Sequence, residues 1–466
     1  MKRDPQHQHT PLWGGFSEAM HPALARISES MAQDLPLGDA DLRASAAYAR
    51  ALGRCGVLTP AEGSQLADTL EGLRAELADG TWVPRDAEDI HTAIEAEVTR
   101  RLPALGGRLH TGRSRNDQVS TAFRLALGER MEALGAALRD VQVALVTRAE
   151  EHLDTFVPSY THVQRAQPVR LGHWLLSHFW PLARDAERLT AARRRTLTLP
   201  LGSGAVSGHP FGLDREAVAA ELGFLGVTQN SLDAVGERDF AVEFGFVASL
   251  IALHLSRLAE ELVLWSSTEF GFVRWPDALA TGSSLMPNKK NPDLAELVRG
   301  RSAGAVGDFV SLLVLIKGLP GSYQRDLQED KPPVWRLSEG THASLTAMQA
   351  AIEGIDFDVE RMRVALSDDL LATEAADLLV AKGVPFRQAH HTVAALVAEG
   401  RRRSVGIKAL GGAQDYTLPA PLTAEDLQRL DVASAIERRT ATGGTARAAV
   451  LAQIEAARRA MTGTRG

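Results

Sequence analysis

FAVEFGFVASLIALHLSRLAEELVLW, residues 240–265, is the stretch on which the fold turns. Phe240, Phe244, Val247, Ile251, Leu255, Leu258, Leu262 and Trp265 recur at steps of 4, 3, 4, 4, 3, 4 and 3. That spacing keeps them on one face of a helix for seven turns. A helix this long and this heptad-like belongs in a bundle, because its apolar stripe needs partners of similar length. Working outward, Asp293 to Lys317 turns apolar on nearly every side in its second half. Such a helix has to be buried all round, in a bundle core or at an oligomer interface. Asp117 to His152 carries Val119, Phe123, Leu127, Met131 and Leu134 on one face, and a fourth helix spans about Pro168 to Arg195. No alternating strand pattern competes with these. The expected class is all-α, with a central bundle of long helices.

A chain of 466 residues is too long for one small core and implies two or three regions. Glycine punctuation near Gly106-Gly107 and from Gly354 to Asp356 divides it into an N-terminal helical domain, 1–110, a central long-helix domain, 111–358, and a small C-terminal helical domain, 359–466. A net charge of -7 argues against a nucleic-acid partner, and Arg193-Arg194-Arg195 reads as a solvated helix end. The longest dense apolar run, Phe309 to Ile316, is well short of the ~18 residues of a membrane span, so no membrane association is expected. Met1 to Thr10 is polar and lacks the core of a signal peptide. Cys55 is the only cysteine, which rules out an internal disulfide and suits a reducing cytoplasm.

Two features suggest other chemistry and are set aside. Gly202, Gly204 and Gly208 loosely echo a dinucleotide fingerprint, but Pro200 intervenes and no strand–helix alternation surrounds them; a tight interhelical turn is expected instead. His390 and His391 would point about 100° apart on a helix, and His173 and His178 are poorly spaced for shared ligation. No metal site and no cofactor are expected.

The chemistry lies in four polar blocks. Gly282-Ser283-Ser284-Leu285-Met286-Pro287-Asn288-Lys289-Lys290-Asn291-Pro292-Asp293 reads as a glycine-led loop running into a helix, with Asn291 as N-cap and Pro292 at the first helical position. Free N–H groups and two lysines at a helix start make an anion site; the plainer reading is a capped loop with surface lysines. His110-Thr111-Gly112-Arg113-Ser114-Arg115-Asn116-Asp117-Gln118-Val119 offers arginines, an amide and hydroxyls suited to carboxylates, or else a polar helix start. Tyr160 to Pro168 holds His162 among polar neighbours, and Gly321 to Lys331 is a fourth polar block.

These blocks together resemble the fumarase/aspartase superfamily. The first is similar to its signature loop, and the double lysine before Asn-Pro-Asp resembles the argininosuccinate lyase branch. The Arg113-Ser114-Arg115-Asn116-Asp117 block separates that branch from adenylosuccinate lyase and aspartase. The resemblance implies a metal-free elimination that breaks a C–N bond and releases fumarate, on a homotetramer whose sites each draw on three subunits. It implies Ser283, His162, Glu296 and Lys289 as catalytic residues. Ser283 stands at the reacting carbon, His162 is the second proton carrier and Glu296 polarises it. Substrate-binding residues are then Ser30, Arg113, Ser114, Asn116, Thr161, Asn291, Tyr323, Gln328 and Lys331. Ser28-Glu29-Ser30-Met31 and Asp89-Ile90-His91-Thr92 also look like family segments. This chain departs from the pattern at Phe16 after Trp13-Gly14-Gly15, at Ile27-Ser28, at Asn288 and at His209-Pro210. A lens-crystallin role, to which this fold has been recruited, is opposed by the retention of Ser283, His162 and Lys289.

Overall fold

The computed structural model describes residues 20–85 and 87–463; the Trp13-Gly14-Gly15-Phe16 departure lies outside them. The chain is helical, as expected. Its main helices are α1 (Gly38–Arg54), α2 (Pro60–Asp79), α3 (Ile90–Arg101), α4 (Arg115–Glu151), α5 (Leu171–Thr196), α6 (Asp239–Trp265), α7 (Asp293–Ile316), α8 (Lys331–Gly354), α9 (Ala372–Ala381) and α10 (Phe386–Arg403). Helix α2 shows the local logic. Thr59 and Glu62 form a capping box, Pro60 sits where no N–H is needed, and Gly80 ends the helix at φ 79°.

The chain forms two compact units. One comprises Met1–Ala133, Ala191–Phe246 and Val306–Ser338; the other comprises Leu134–Thr190, Val247–Ala305 and Glu339–Gly466. The predicted face of α6 is buried along its length, with Phe244, Ile251 and Leu255 at 0% exposure. In the first unit Phe123 meets Phe240 and Trp335 edge-on at 5.4 and 5.6 Å, and Arg124 lies 4.0 Å over the Phe240 ring. In the second, Trp174 stacks on Trp265 at 4.1 Å. Each such side chain contributes about 1.5–3 kcal/mol by leaving water. A separate core of Leu371, Leu379, Val393, Leu396, Ile407 and Leu410 gathers the short C-terminal helices.

Two local expectations need correction. The fourth helix, expected from about Pro168, begins only at Leu171 as α5, and the residues before it form an unexpected hairpin, β1 (Phe156–Thr161) against β2 (Gln164–Arg170). Pro158 faces Pro168 in its register, so the usual alternation was hidden. Asn291 is not an N-cap: it lies in β4 (Lys290–Asn291), paired with β3 (Thr281–Gly282), and α7 begins at Asp293, so Pro292 precedes the helix rather than opening it. The carbonyl of Pro292 accepts the Glu296 N–H, a role that needs no proline donor. Helix α7 buries Ala295, Val298 and Leu312 against the chain itself but leaves Leu297 and Val314 each 63% exposed, so of the two expected kinds of cover the chain's own core supplies one only in part. Finally, α6 is long and apolar enough to cross a membrane by length and composition, the one such helix among the described residues. Charged residues such as Glu243 and Arg257 break its apolar run, and the buried stripe of α6 is that of a core helix.

Candidate active site

In the first unit the predicted binding residues are buried or half-buried, and Ser30, Arg113 and Lys331 are both buried and bonded. Ser30 is 5% exposed; its N–H donates to Glu88 O at 2.9 Å and its hydroxyl donates to the Asp34 carboxylate one helical turn on. The Ser28 carbonyl next to it accepts from Gln328 Nε2 at 3.2 Å and from Arg325 at 3.4 Å. Lys331, 3% exposed, lies 2.7 Å from Asp330 and 3.9 Å from Asp34, with its ammonium 5.7 Å over the Phe123 ring. Burial pushes the Asp34 carboxyl up, and Lys331 and His91 pull against that. Asp330 is also held by the buried Arg238. Tyr323 is half-buried, and that burial raises its hydroxyl pKa. Gly236 allows the approach of this segment, since a Cβ there would come within 2.7 Å of Ser322.

The block from Arg113 to Gln118 starts α4. The Ser114 hydroxyl accepts the Asn116 N–H at 3.2 Å, and Asp117 accepts the Ser114 N–H at 3.0 Å, a reciprocal cap. Arg113 is buried, bonding Ser45 Oγ at 2.8 Å with its guanidinium 5.4 Å from the Tyr48 ring centre. Asn116 is half-buried, and its side chain takes no part in the cap. Beneath the block, His91 Nδ1 stands 3.1 Å from Asp41, which also accepts from Gln118. Burial opposes ionisation of Asp41, but His91, Arg113 and Gln118 outweigh it and hold the carboxyl well below its usual range.

The residues of the second unit are displayed rather than enclosed. Thr161 and His162 lie exposed at the hairpin tip. Thr161 pairs with Gln164, so His162 and Val163 form a two-residue turn, with φ of 54° and 58°. A β-branched residue in that region is strained by about 1–2 kcal/mol, so local energetics alone do not choose this turn. The 283–289 loop joins β3 to β4. In it the Ser283 Oγ accepts the N–H groups of Leu285 at 3.3 Å and Met286 at 3.0 Å. Two donors on that oxygen favour its charged form. Lys290 pairs with Asp277 at 2.6 Å, while Lys289 is exposed. Asn291 is half-buried in β4, and Glu296 is exposed on α7 with Arg299 at 3.8 Å. Among the described residues, no hydrogen bond or ion pair within the chain joins His162 to Ser283, Lys289 or Glu296.

Sequence reasoning passed over Asp34, Asp41, Arg238 and Asp330, the buried charges that hold the binding residues. Only two left a signal: Asp34 stands four residues after Ser30 on a short helix, and Asp330 is next to Lys331. Among the described residues no three His, Cys, Asp or Glu gather as possible metal ligands.

Comparison with known proteins places the chain among lyases. A lyase family model matches residues 14–307, and an argininosuccinate lyase C-terminal model matches 369–437. The chain is 47% identical over 451 residues to an argininosuccinate lyase of Roseiflexus sp. (strain RS-1), covering 96% of this chain and 99% of the relative. It is 44% identical over 465 residues to that of Thermobifida fusca (strain YX), covering 99% and 98%. Among solved structures, an EDDS lyase variant with bound fumarate matches with a TM-score of 0.84 at 27% identity, covering 96% of this chain and 92% of that one. With two family models and near full-length relatives in agreement, this chain belongs to the argininosuccinate lyase family.

Proposed function

We propose that the protein is a carbon–nitrogen lyase that reversibly splits argininosuccinate into arginine and fumarate, the last step of arginine biosynthesis. The carrying observation is Ser283: its oxygen already accepts two backbone N–H groups on a loop between two paired strands, with Lys289 on the same loop. The reaction removes a weakly acidic C–H beside a carboxylate and then expels nitrogen from the adjacent carbon. It needs a base on one face, an acid on the other and donors for the charge that builds on the carboxylate. Ser283 removes the proton, its oxygen charge stabilised by the loop N–H groups and Lys289. His162 is the second proton carrier, polarised by Glu296. Lys289 and Asn291 grip the fumarate-side carboxylate, and Ser30, Arg113, Ser114, Asn116, Thr161, Tyr323, Gln328 and Lys331 hold the rest of the substrate. Because the chemistry is proton transfer and C–N cleavage, it calls for neither metal nor redox cofactor.

The active form in this reading is a homotetramer in which three chains contribute to each site. The exposed apolar residues of α7, Leu297, Val306, Val310, Leu313 and Val314, support it, because an apolar stripe of that length needs a cover. Leu285 at 85% exposure and Met286 at 45% support a loop that closes over bound substrate and excludes water. The three-part division at 110 and 358 and a cytoplasmic location complete the proposal; the lone Cys55 agrees with the latter. The test is ultraviolet absorbance of fumarate after mixing purified protein with argininosuccinate, adenylosuccinate or aspartate. Release from the first alone is expected, and it should vanish on dilution to monomers. Release from either of the others, with none from argininosuccinate, rejects the reading.

A further inference from the structure

The block Thr111 to Asn116 is short, polar and turns sharply through Gly112, whose φ is 76°. Such a segment does not hold one shape by itself. Two side chains outside the proposed substrate-binding set grip it from opposite ends. Asp117, fully buried, accepts the Ser114 N–H on one carboxylate oxygen at 3.0 Å. Its other oxygen accepts the N–H groups of Gly202 at 3.0 Å and Gly204 at 2.8 Å. Gly202 and Gly204 have φ of 89° and 58°, which is why the turn that aims their N–H groups is glycine-rich. One carboxylate thus ties the start of α4 to a loop some 85 residues on.

At the other end His209, one of the chain's departures from the family pattern, covers Gly112. A Cβ on Gly112 would come within 2.3 Å of His209 Nε2, so the imidazole occupies the place a side chain would take. Nδ1 of His209 accepts the Phe211 N–H at 3.2 Å. In the neutral ring Nε2 therefore carries the proton, and it donates to the Tyr48 hydroxyl at 2.9 Å. Tyr48 in turn donates to the Thr111 carbonyl at 2.8 Å. The chain His209–Tyr48–Thr111 runs in one direction, and its last acceptor is the first residue of the segment.

We propose that Asp117 and His209 are positioning residues: they hold Thr111–Asn116 in the conformation that presents Ser114 and Asn116 to the substrate. This rests on the reading above that those residues meet argininosuccinate. Asp117→Asn replaces one acceptor oxygen by a donor that faces either the Ser114 N–H or the two glycine N–H groups and can compromise folding, so His209→Ala and His209→Gln carry the test. The glutamine amide can still donate to Tyr48.

The experiment measures amide hydrogen exchange over 110–117, with α2 as internal reference, alongside KM and kcat for argininosuccinate. For His209→Ala we expect faster exchange confined to that segment, a KM raised about tenfold and kcat changed by less than about twofold. His209→Gln should restore most of both. Unchanged exchange in His209→Ala overturns the proposal. So does faster exchange with an unchanged KM, which would mean that the grip exists but does not serve substrate. If the wild-type protein does not turn over argininosuccinate, the functional reading fails, and the exchange result decides the grip by itself.

Discussion

The two units treat their site residues in opposite ways. In the first, Ser30, Arg113 and Lys331 are buried and already bonded to partners such as Asp34, Ser45 and Asp330. In the second, His162 stands on a strained exposed turn and Ser283 on a loop whose neighbours Leu285 and Met286 face solvent. Residues that recognise a ground state gain from being rigid before binding, because ordering them then costs nothing. Residues that move protons need to be reached, covered and released within each turnover. With the roles proposed above, the contrast is one between holding and reacting.

The largest expected effect tests the reacting side. Ser283→Ala should leave substrate binding largely intact while turnover falls by several orders of magnitude, read as kcat against KM; normal turnover rejects the assignment. Next comes the holding side. Lys331→Met leaves Asp330 and Asp34 short of a buried cation, so we expect a stability loss of about 3–5 kcal/mol in denaturant titration. A loss below about 1 kcal/mol would place Lys331 with the displayed residues instead. Val163→Gly should raise stability by about 0.5–1 kcal/mol, because glycine adopts the positive φ at no steric cost; lower stability would mean that the turn is held by the valine side chain.

The smallest effect is a pH dependence. Burial, with Arg113 next in weight, pushes the His110 pKa from 6.5 down to about 4. Its protonation is therefore disfavoured in the fold. Stability from this group is full above 6.5 and falls as pH drops toward 4. Asp117, pushed up by burial to about 6, has the opposite sign: its contribution is present below 3.8 and lost as pH rises through 6. Calorimetry of His110→Gln between pH 7 and 4 should show a smaller fall in Tm than the wild-type protein shows. An equal fall in both would assign the acid sensitivity to other groups.

The long helices were legible because burial of a repeating stripe is a strong, long-range signal: every predicted residue on the face of α6 is buried. The hairpin under His162 was not, because two facing prolines and a two-residue turn leave no period to read. Asn291 looked like a cap because the residue types before Pro292 fit one, yet cross-strand pairing with Thr281 claimed its backbone first. The family blocks disclosed the polar segments, and the partners beneath them were hidden. Asp41 and Arg238 belong to no recognisable block and become informative only when His91 and Asp330 are found against them.

What the sequence by itself determined is the class of the fold, its long-helix core and, through the residues of the 283–289 loop and the other polar blocks, the family. These rest on periodicity and on short contiguous motifs, which survive in one dimension. The tertiary structure decided which of those residues are locked and which are displayed. It also set the left-handed turn at His162, the two N–H groups on Ser283, the bonds that tie Asp117 to Gly202 and Gly204 and the approach of His209 to Gly112 from far along the chain. Those depend on what lies opposite each group in space, and the free energy of a buried charge or a strained turn is set by that neighbour rather than by the residue before or after it.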